Sequence, residues 1–128
     1  MSRRPGFTLI ELLIAMVIIG ILATIASSFL WNAKDRALLR SMQTDLRNVA
    51  AHQEVYFPGA MSYAAAITDL TDFAHSPGVI VTITYAGPDG WAAQATHDSY
   101  GATCGLFTGD APAANGAPAT IPGKIACD

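Results

Sequence analysis

Gly6-Phe7-Thr8-Leu9-Ile10-Glu11-Leu12-Leu13 opens a run of apolar residues that continues almost unbroken to Trp31. Residues 7–31 would form a helix about 37 Å long at about 1.5 Å per residue. A bilayer core needs roughly 20 predominantly apolar residues. Ile10, Leu12, Leu13, Ile14, Met16, Val17, Ile18, Ile19, Ile21, Leu22 and Ile25 supply them. Glu11 is the one formal charge between Arg4 and Lys34. A carboxylate at membrane depth is costly and by default functional, with a partner to be named. Arg3 and Arg4 precede the run, and the positive-inside rule keeps that end cytoplasmic. The chain beyond Trp31 is therefore expected on the exported side.

Three readings of this segment compete. A cleaved secretory signal would use Arg3 and Arg4 as its basic end. The run is long for such a signal, it contains Glu11, and Ala23 and Ala26 make a weak cleavage site. A plain uncleaved anchor accommodates the length but leaves Glu11 unexplained. The third reading is a resemblance: Arg4-Pro5-Gly6-Phe7-Thr8-Leu9-Ile10-Glu11 resembles the leader junction of type IV pilins and type II secretion pseudopilins. The motif match runs from Gly6 to about Ala26.

The resemblance implies a short leader, residues 1–6, removed by a membrane prepilin peptidase between Gly6 and Phe7. Phe7 would become the N-methylated terminus and Glu11 the retained acid. The precursor would lie in the bacterial inner membrane among lipid, and a pilus assembly machinery would transfer it into an extracellular, homo-oligomeric helical filament. In that setting the new amine of one subunit can neutralise Glu11 of a neighbour, each charge being tolerable at low dielectric only beside the other. Glu11 is then a docking and register device. The alternative is a Glu11 that snorkels to the nearby interface without a partner.

The helix is expected to continue past the membrane. No Pro or Gly occurs at 32–57, and Leu39, Met42, Leu46, Val49, Ala50 and Phe57 recur at helical spacing. Pro58-Gly59 is expected to end it, giving one helix over 7–57, about 76 Å long. Lys34, Arg36, Arg40 and Arg47 read as a phosphate stripe or, better, as contacts to lipid headgroups and to acids on the same or adjacent subunits. Gly20 weakens the membrane part by about 1 kcal/mol. Many pilins carry a Pro near the position of Ser28, and their helix loosens there in the filament; this chain lacks it, and loosening after Gly20 is still expected.

Farther on, residues 64–70 read as a short helix. Residues 79–85 alternate as a strand with Val79, Val81, Ile83 and Tyr85 on one face. Gly87-Pro88-Asp89-Gly90 is a turn. Residues 91–97 and 104–108 read as two more strands, and 109–123 as a loop. The fold class expected is α+β: a long N-terminal helix, transmembrane then amphipathic, packed against a small antiparallel sheet, pilin-like. The parts are the leader 1–6, the membrane and filament-core segment 7–31, its amphipathic continuation 32–57, and an exported domain 58–128. Cys104 and Cys127 both fall on the exported side, where oxidising conditions favour a bridge. Two free thiols are the alternative. By resemblance, 104–127 is the outward, disulfide-bounded segment.

Composition excludes other classes. Net charge is −3, and loss of Arg3 and Arg4 takes it to −5. Lys124 is the only Lys or Arg beyond residue 47, so a nucleic-acid surface, which needs clustered cations, is not expected. There is no nucleophile elbow, phosphate loop or paired-cysteine metal spacing. His52, His75 and His97 share no ligand pattern. Asp69 with Asp72, or Asp89 with Asp98, read as exposed loop acids rather than calcium ligands. No enzyme activity and no cofactor are expected. The function expected is a structural pilus subunit for adhesion, motility or DNA uptake. A pseudopilin or a minor pilin is the variant reading, and a monomeric membrane-anchored binding protein or sensor the opposing class.

Overall fold

The computed structural model describes residues 6–128, apart from the side chain of Ser28. Two compact units divide the chain, Met1–Lys34 and Asp35–Asp128. A single 52-residue helix, α1 (Leu9–Ala60), contributes to both. In the first unit its side chains are exposed on every face. A helix apolar all round is built for a membrane or for a packed bundle, and α1 is long and apolar enough there to cross a bilayer.

In the second unit α1 is amphipathic. Met42, Leu46, Val49 and Gln53 are fully buried, at spacings of four, three and four residues, so they share one face. That face packs on a four-stranded antiparallel sheet of order β1-β2-β3-β4. The strands are β1 (Val79–Ala86), β2 (Gly90–His97), β3 (Tyr100–Gly109) and β4 (Ala126–Cys127). Val79, Val81, Trp91, Ala93, Ala95, Cys104 and Leu106 meet the helix. Ala92 and Phe107, on the other face of the sheet, are covered by Ala111 and Ala119 of the C-terminal loop. The loop can lie this close because Gly105 and Gly116 are bare: a Cβ on Gly105 would strike the carbonyls of Gly116 and Ala117. The architecture is therefore α+β, as the pattern of the sequence implied.

Several boundaries differ from the sequence reading. The helix does not stop at Pro58-Gly59 but carries both in its last turn. Pro58 has no N–H for the Glu54 carbonyl and its ring crowds that carbonyl, and the helix runs only two residues beyond it. The stop comes at Met61, whose N–H donates to Phe57 O at 2.8 Å and whose φ is 55°. That left-handed position usually holds Gly. Met61 is exposed, so Met61→Gly is expected to raise stability by about 0.5–1 kcal/mol, read as a shift in the urea midpoint.

Residues 64–70 are not a helix. Only a three-residue 3-10 turn, Ile67–Asp69, forms. Gln53 ties the start of this segment to α1 instead: its Oε1 accepts from Ala64 N at 2.8 Å and its Nε2 donates to Ala64 O at 2.9 Å. Tyr85 also leaves the face expected for it. The β1–β2 register shifts between Ile83 and Tyr85, and Tyr85 is 37% exposed. Thr84 sits at the irregularity, with its hydroxyl donating to Asn115 O and its carbonyl accepting from Asn115 Nδ2 at 3.2 Å. The third strand begins at Tyr100 rather than residue 104. Within the expected 109–123 loop, Ala113–Gly116 forms a 3-10 turn.

Candidate functional site

The start of α1 is built by four consecutive residues, Thr8-Leu9-Ile10-Glu11. Thr8 precedes the first helical residue, Leu9, and its carbonyl accepts the first intrahelical bond, from Leu12 N at 3.3 Å. The Glu11 carboxylate reaches back and accepts from Thr8 N at 2.9 Å and from Thr8 Oγ1 at 2.7 Å. Thr8 Oγ1 in turn accepts from Glu11 N at 3.3 Å. This reciprocal arrangement is a capping box, which satisfies amides that a helix start otherwise leaves bare. A negative charge there also complements the helix dipole. Glu11 is thus held within its own chain, by Thr8, a residue the sequence reading passed over. The signal was legible: Thr or Ser followed three residues later by Glu before an apolar run.

Among the described residues nothing covers the helix around this cap. Gly6 and Glu11 are exposed, and Phe7 is 80% exposed. The Glu11 carboxylate and the Phe7 ring therefore lie open to a partner, one polar and one apolar, one turn apart. Farther along, Gly20 lies within unbroken helix, and a Cβ there would meet nothing within 4 Å. Thr24 Oγ1 donates to Ile21 O at 2.7 Å and Ser27 Oγ to Thr24 O at 2.9 Å. Such back-bonding keeps hydroxyls satisfied in an apolar setting and favours bending. Ser28 lies in the same helix, and the role expected for its side chain lies outside the described residues.

In the second unit, Cys104 and Cys127 are joined in a disulfide. They are directly opposed in the β3–β4 ladder, with Gly105 opposite Ala126. The short β4 strand was invisible in the sequence because two residues carry no periodicity. The bridge closes a loop spanning 23 positions. Gly123 N donates to Phe107 O at 2.7 Å and Asp128 N to Thr103 O at 3.1 Å, which pins the segment on both sides of the bond. Breaking the bridge is expected to lower stability by about 3 kcal/mol in the chain-entropy account. The check is the denaturation midpoint of the detergent-solubilised chain with and without reductant, with non-reducing peptide mapping to identify the linked pair.

The histidines are engaged as ordinary side chains. His52 and His75 stand edge-on to the Phe73 ring, at centroid distances of 5.8 and 5.0 Å, and His97 Nδ1 accepts from Ser99 N at 3.0 Å. Among the described residues no group of three His, Cys, Asp or Glu side chains is placed to hold a metal ion.

Residues 1–27 match the family model of the prokaryotic N-terminal methylation motif. The chain carries the N-terminal signature of type IV pilins and pseudopilins. The match covers 27 of 128 residues, and no curated protein matches the chain. A pilin-type signature implies processing by a prepilin peptidase and handling by a pilus assembly machinery. Together with the exposed apolar helix it fits a membrane-anchored precursor, and it points to a structural protein rather than an enzyme. The capping box, the exposed Phe7 and the apolar helix all fall inside or directly beside the matched segment.

Proposed function

We propose that this chain is a body subunit of a type IV pilus. The leader 1–6 is cut between Gly6 and Phe7, the Phe7 amine is methylated, and residues 7–31 pass from the membrane into the core of a helical filament. Residues 32–57 and the exported part, 58–128, form its outer layer. The observation that carries this reading is Glu11, an acid held in a capping box at the start of a helix that no other described residue covers. A helix so exposed needs lipid or other helices around it. A carboxylate at its start needs a cation when those helices pack, and the amine that cleavage creates at Phe7 supplies one.

The disulfide-bounded C-terminal segment favours a pilus subunit over the major type II pseudopilin, which by family resemblance relies on a calcium loop. Retained Glu11 favours a body subunit over a tip subunit lacking the acid. Intact and N-terminal mass spectra of protein sheared from cells test the reading. A chain starting at N-methylated Phe7 in the filament fraction supports it. A chain starting at Met1 or Ser2 and confined to membranes points to a plain anchor. A start after Ala23 or Ala26 means a conventional signal peptide and removes the pilin reading.

A further inference from the structure

The second unit separates its charges. Its cations are Arg36, Arg40, Arg47 and Lys124. Arg36, Arg40, Gln43 and Arg47 are spaced by four, three and four residues on α1, hence on one face. They line two adjoining clefts that share Gln43. One, of about 350 Å³, lies between Gln43 and Arg47 of the helix and Leu106, Gly123, Lys124 and Ile125 of the sheet and C-terminal segment. The other, of about 320 Å³, is lined by Arg36, Leu39, Arg40 and Gln43. No carboxylate lines either cleft. Among the described residues none of the four cations is in an ion pair; Arg40 Nη1 reaches only the Gln43 amide, at 3.4 Å.

The unit's acids outnumber these cations, nine to four. Asp45 is buried, Asp35 is half-buried on α1 next to Arg36, and Glu54, Asp69, Asp72, Asp89, Asp98, Asp110 and Asp128 are exposed. Asp89 and Asp110 form a stiff pair at one end of the sheet. Asp110 N donates to Asp89 O at 3.0 Å, and Gly109, at φ 59°, lets the two turns meet, since a Cβ there would strike the Asp89 carbonyl. Both acidic residues are exposed there, side by side.

We propose that the basic groove of one copy receives the Asp89–Asp110 edge of a second copy. The proposal rests on the filament reading for its setting. An anionic lipid surface would attract the groove but repel the rest of an acidic unit. A second copy brings the acids without that penalty, and complementary potentials set register and partner choice. Because groove and acidic edge are different patches, the contact is heterologous, and such a contact builds an open helical assembly when its rotation does not close into a ring.

Zero-length carbodiimide coupling tests this directly, because it joins a lysine amine to a carboxylate as an amide with loss of water. After leader removal Lys34 and Lys124 are the only lysines. Applied to filaments and to membranes, it is expected to give dimers in which Lys124 of one copy is linked to Asp89 or Asp110 of the other. Dimers without Lys124, or with Lys124 linked only to other acids, overturn the proposal. The Arg47→Glu/Lys124→Glu double variant is expected to lower sheared filament yield about tenfold, with recovery when Asp89→Lys/Asp110→Lys is added. Unchanged yield in the first double variant, or loss of binding to phosphatidylglycerol vesicles in its place, also overturns it. Filaments without the Lys124 link would refute the groove and leave the pilus reading standing. The same link in membranes of cells that make no filament would do the reverse.

Discussion

Glu11→Ala is expected to abolish filaments from the sheared fraction, a loss of at least about a hundredfold for a buried charge left without its partner, while membrane insertion and leader removal continue. Insertion continues because the apolar span supplies the transfer free energy and the substitution only makes it more apolar. Removal continues because the cut at Gly6-Phe7 lies ahead of the helix. Assembly stops because the Phe7 amine of each incoming subunit would be buried without an acid.

The Thr8–Glu11 capping box adds a second arm. Thr8→Ala removes the hydroxyl that donates to Glu11 at 2.7 Å but keeps the acid. It is expected to fray the first turn and reduce filament yield only a few-fold, as loss of one cap interaction would. If the two variants have equal effects, the role of Glu11 is helix capping and not pairing with a neighbour. Filament yield by shearing, with processing followed by mass, separates the cases. Glu11→Gln, which keeps the shape but not the charge, should behave like Glu11→Ala if charge pairing governs, and like wild type if capping does.

Asp45→Ala is expected to destabilise the exported part by about 3 kcal/mol, in the range for breaking a buried, hydrogen-bonded acid. Asp45 is 1% exposed on the inner face of α1. Its two carboxylate oxygens accept from Ser76 N and Ser76 Oγ, each at 2.7 Å. These bonds tie the approach to β1 onto the helix just ahead of Val79, whose own N–H donates to Ser76 O at 3.0 Å. Removal leaves the half-buried Ser76 amide and hydroxyl without their acceptor. Ser76→Ala keeps the amide bond and should cost about 1 kcal/mol. The double variant should then cost less than the sum, because the two share the interaction. Urea midpoints of the detergent-solubilised chain, at constant slope, give all three values. A change below about 0.5 kcal/mol for Asp45→Ala would mean that water replaces the carboxylate.

Gln53 works in the same way one layer along. It is fully buried and makes both bonds to the Ala64 backbone. Asp45 and Gln53 therefore lash the connection between helix and sheet at two points. Neither carries a local signal of its burial in the sequence. Their burial depends on Ser76 and Ala64, which lie 31 and 11 positions away, and no period within the helix reports that.

The contrast runs through the whole molecule. What the sequence alone determined is local: the uninterrupted apolar span, the acid near its start, the helical spacing of Met42, Leu46 and Val49, and the β-branched alternation of residues 79–83. Each follows from neighbours within a few positions, because backbone geometry repeats on that scale. The tertiary structure decided what depends on distant partners. It tied the backbone of Ala64 to the buried Gln53 amide. It turned Tyr85 outward where Thr84 bonds Asn115. It made a strand of two residues because Cys127 faces Cys104, and it brought Lys124 of the C-terminal segment beside Arg47 of α1 in one cleft. Hydrogen bonds, bulges and disulfides of that kind are settled by which segments meet in the fold, and a backbone group satisfied by a far side chain is no longer available to its own propensity.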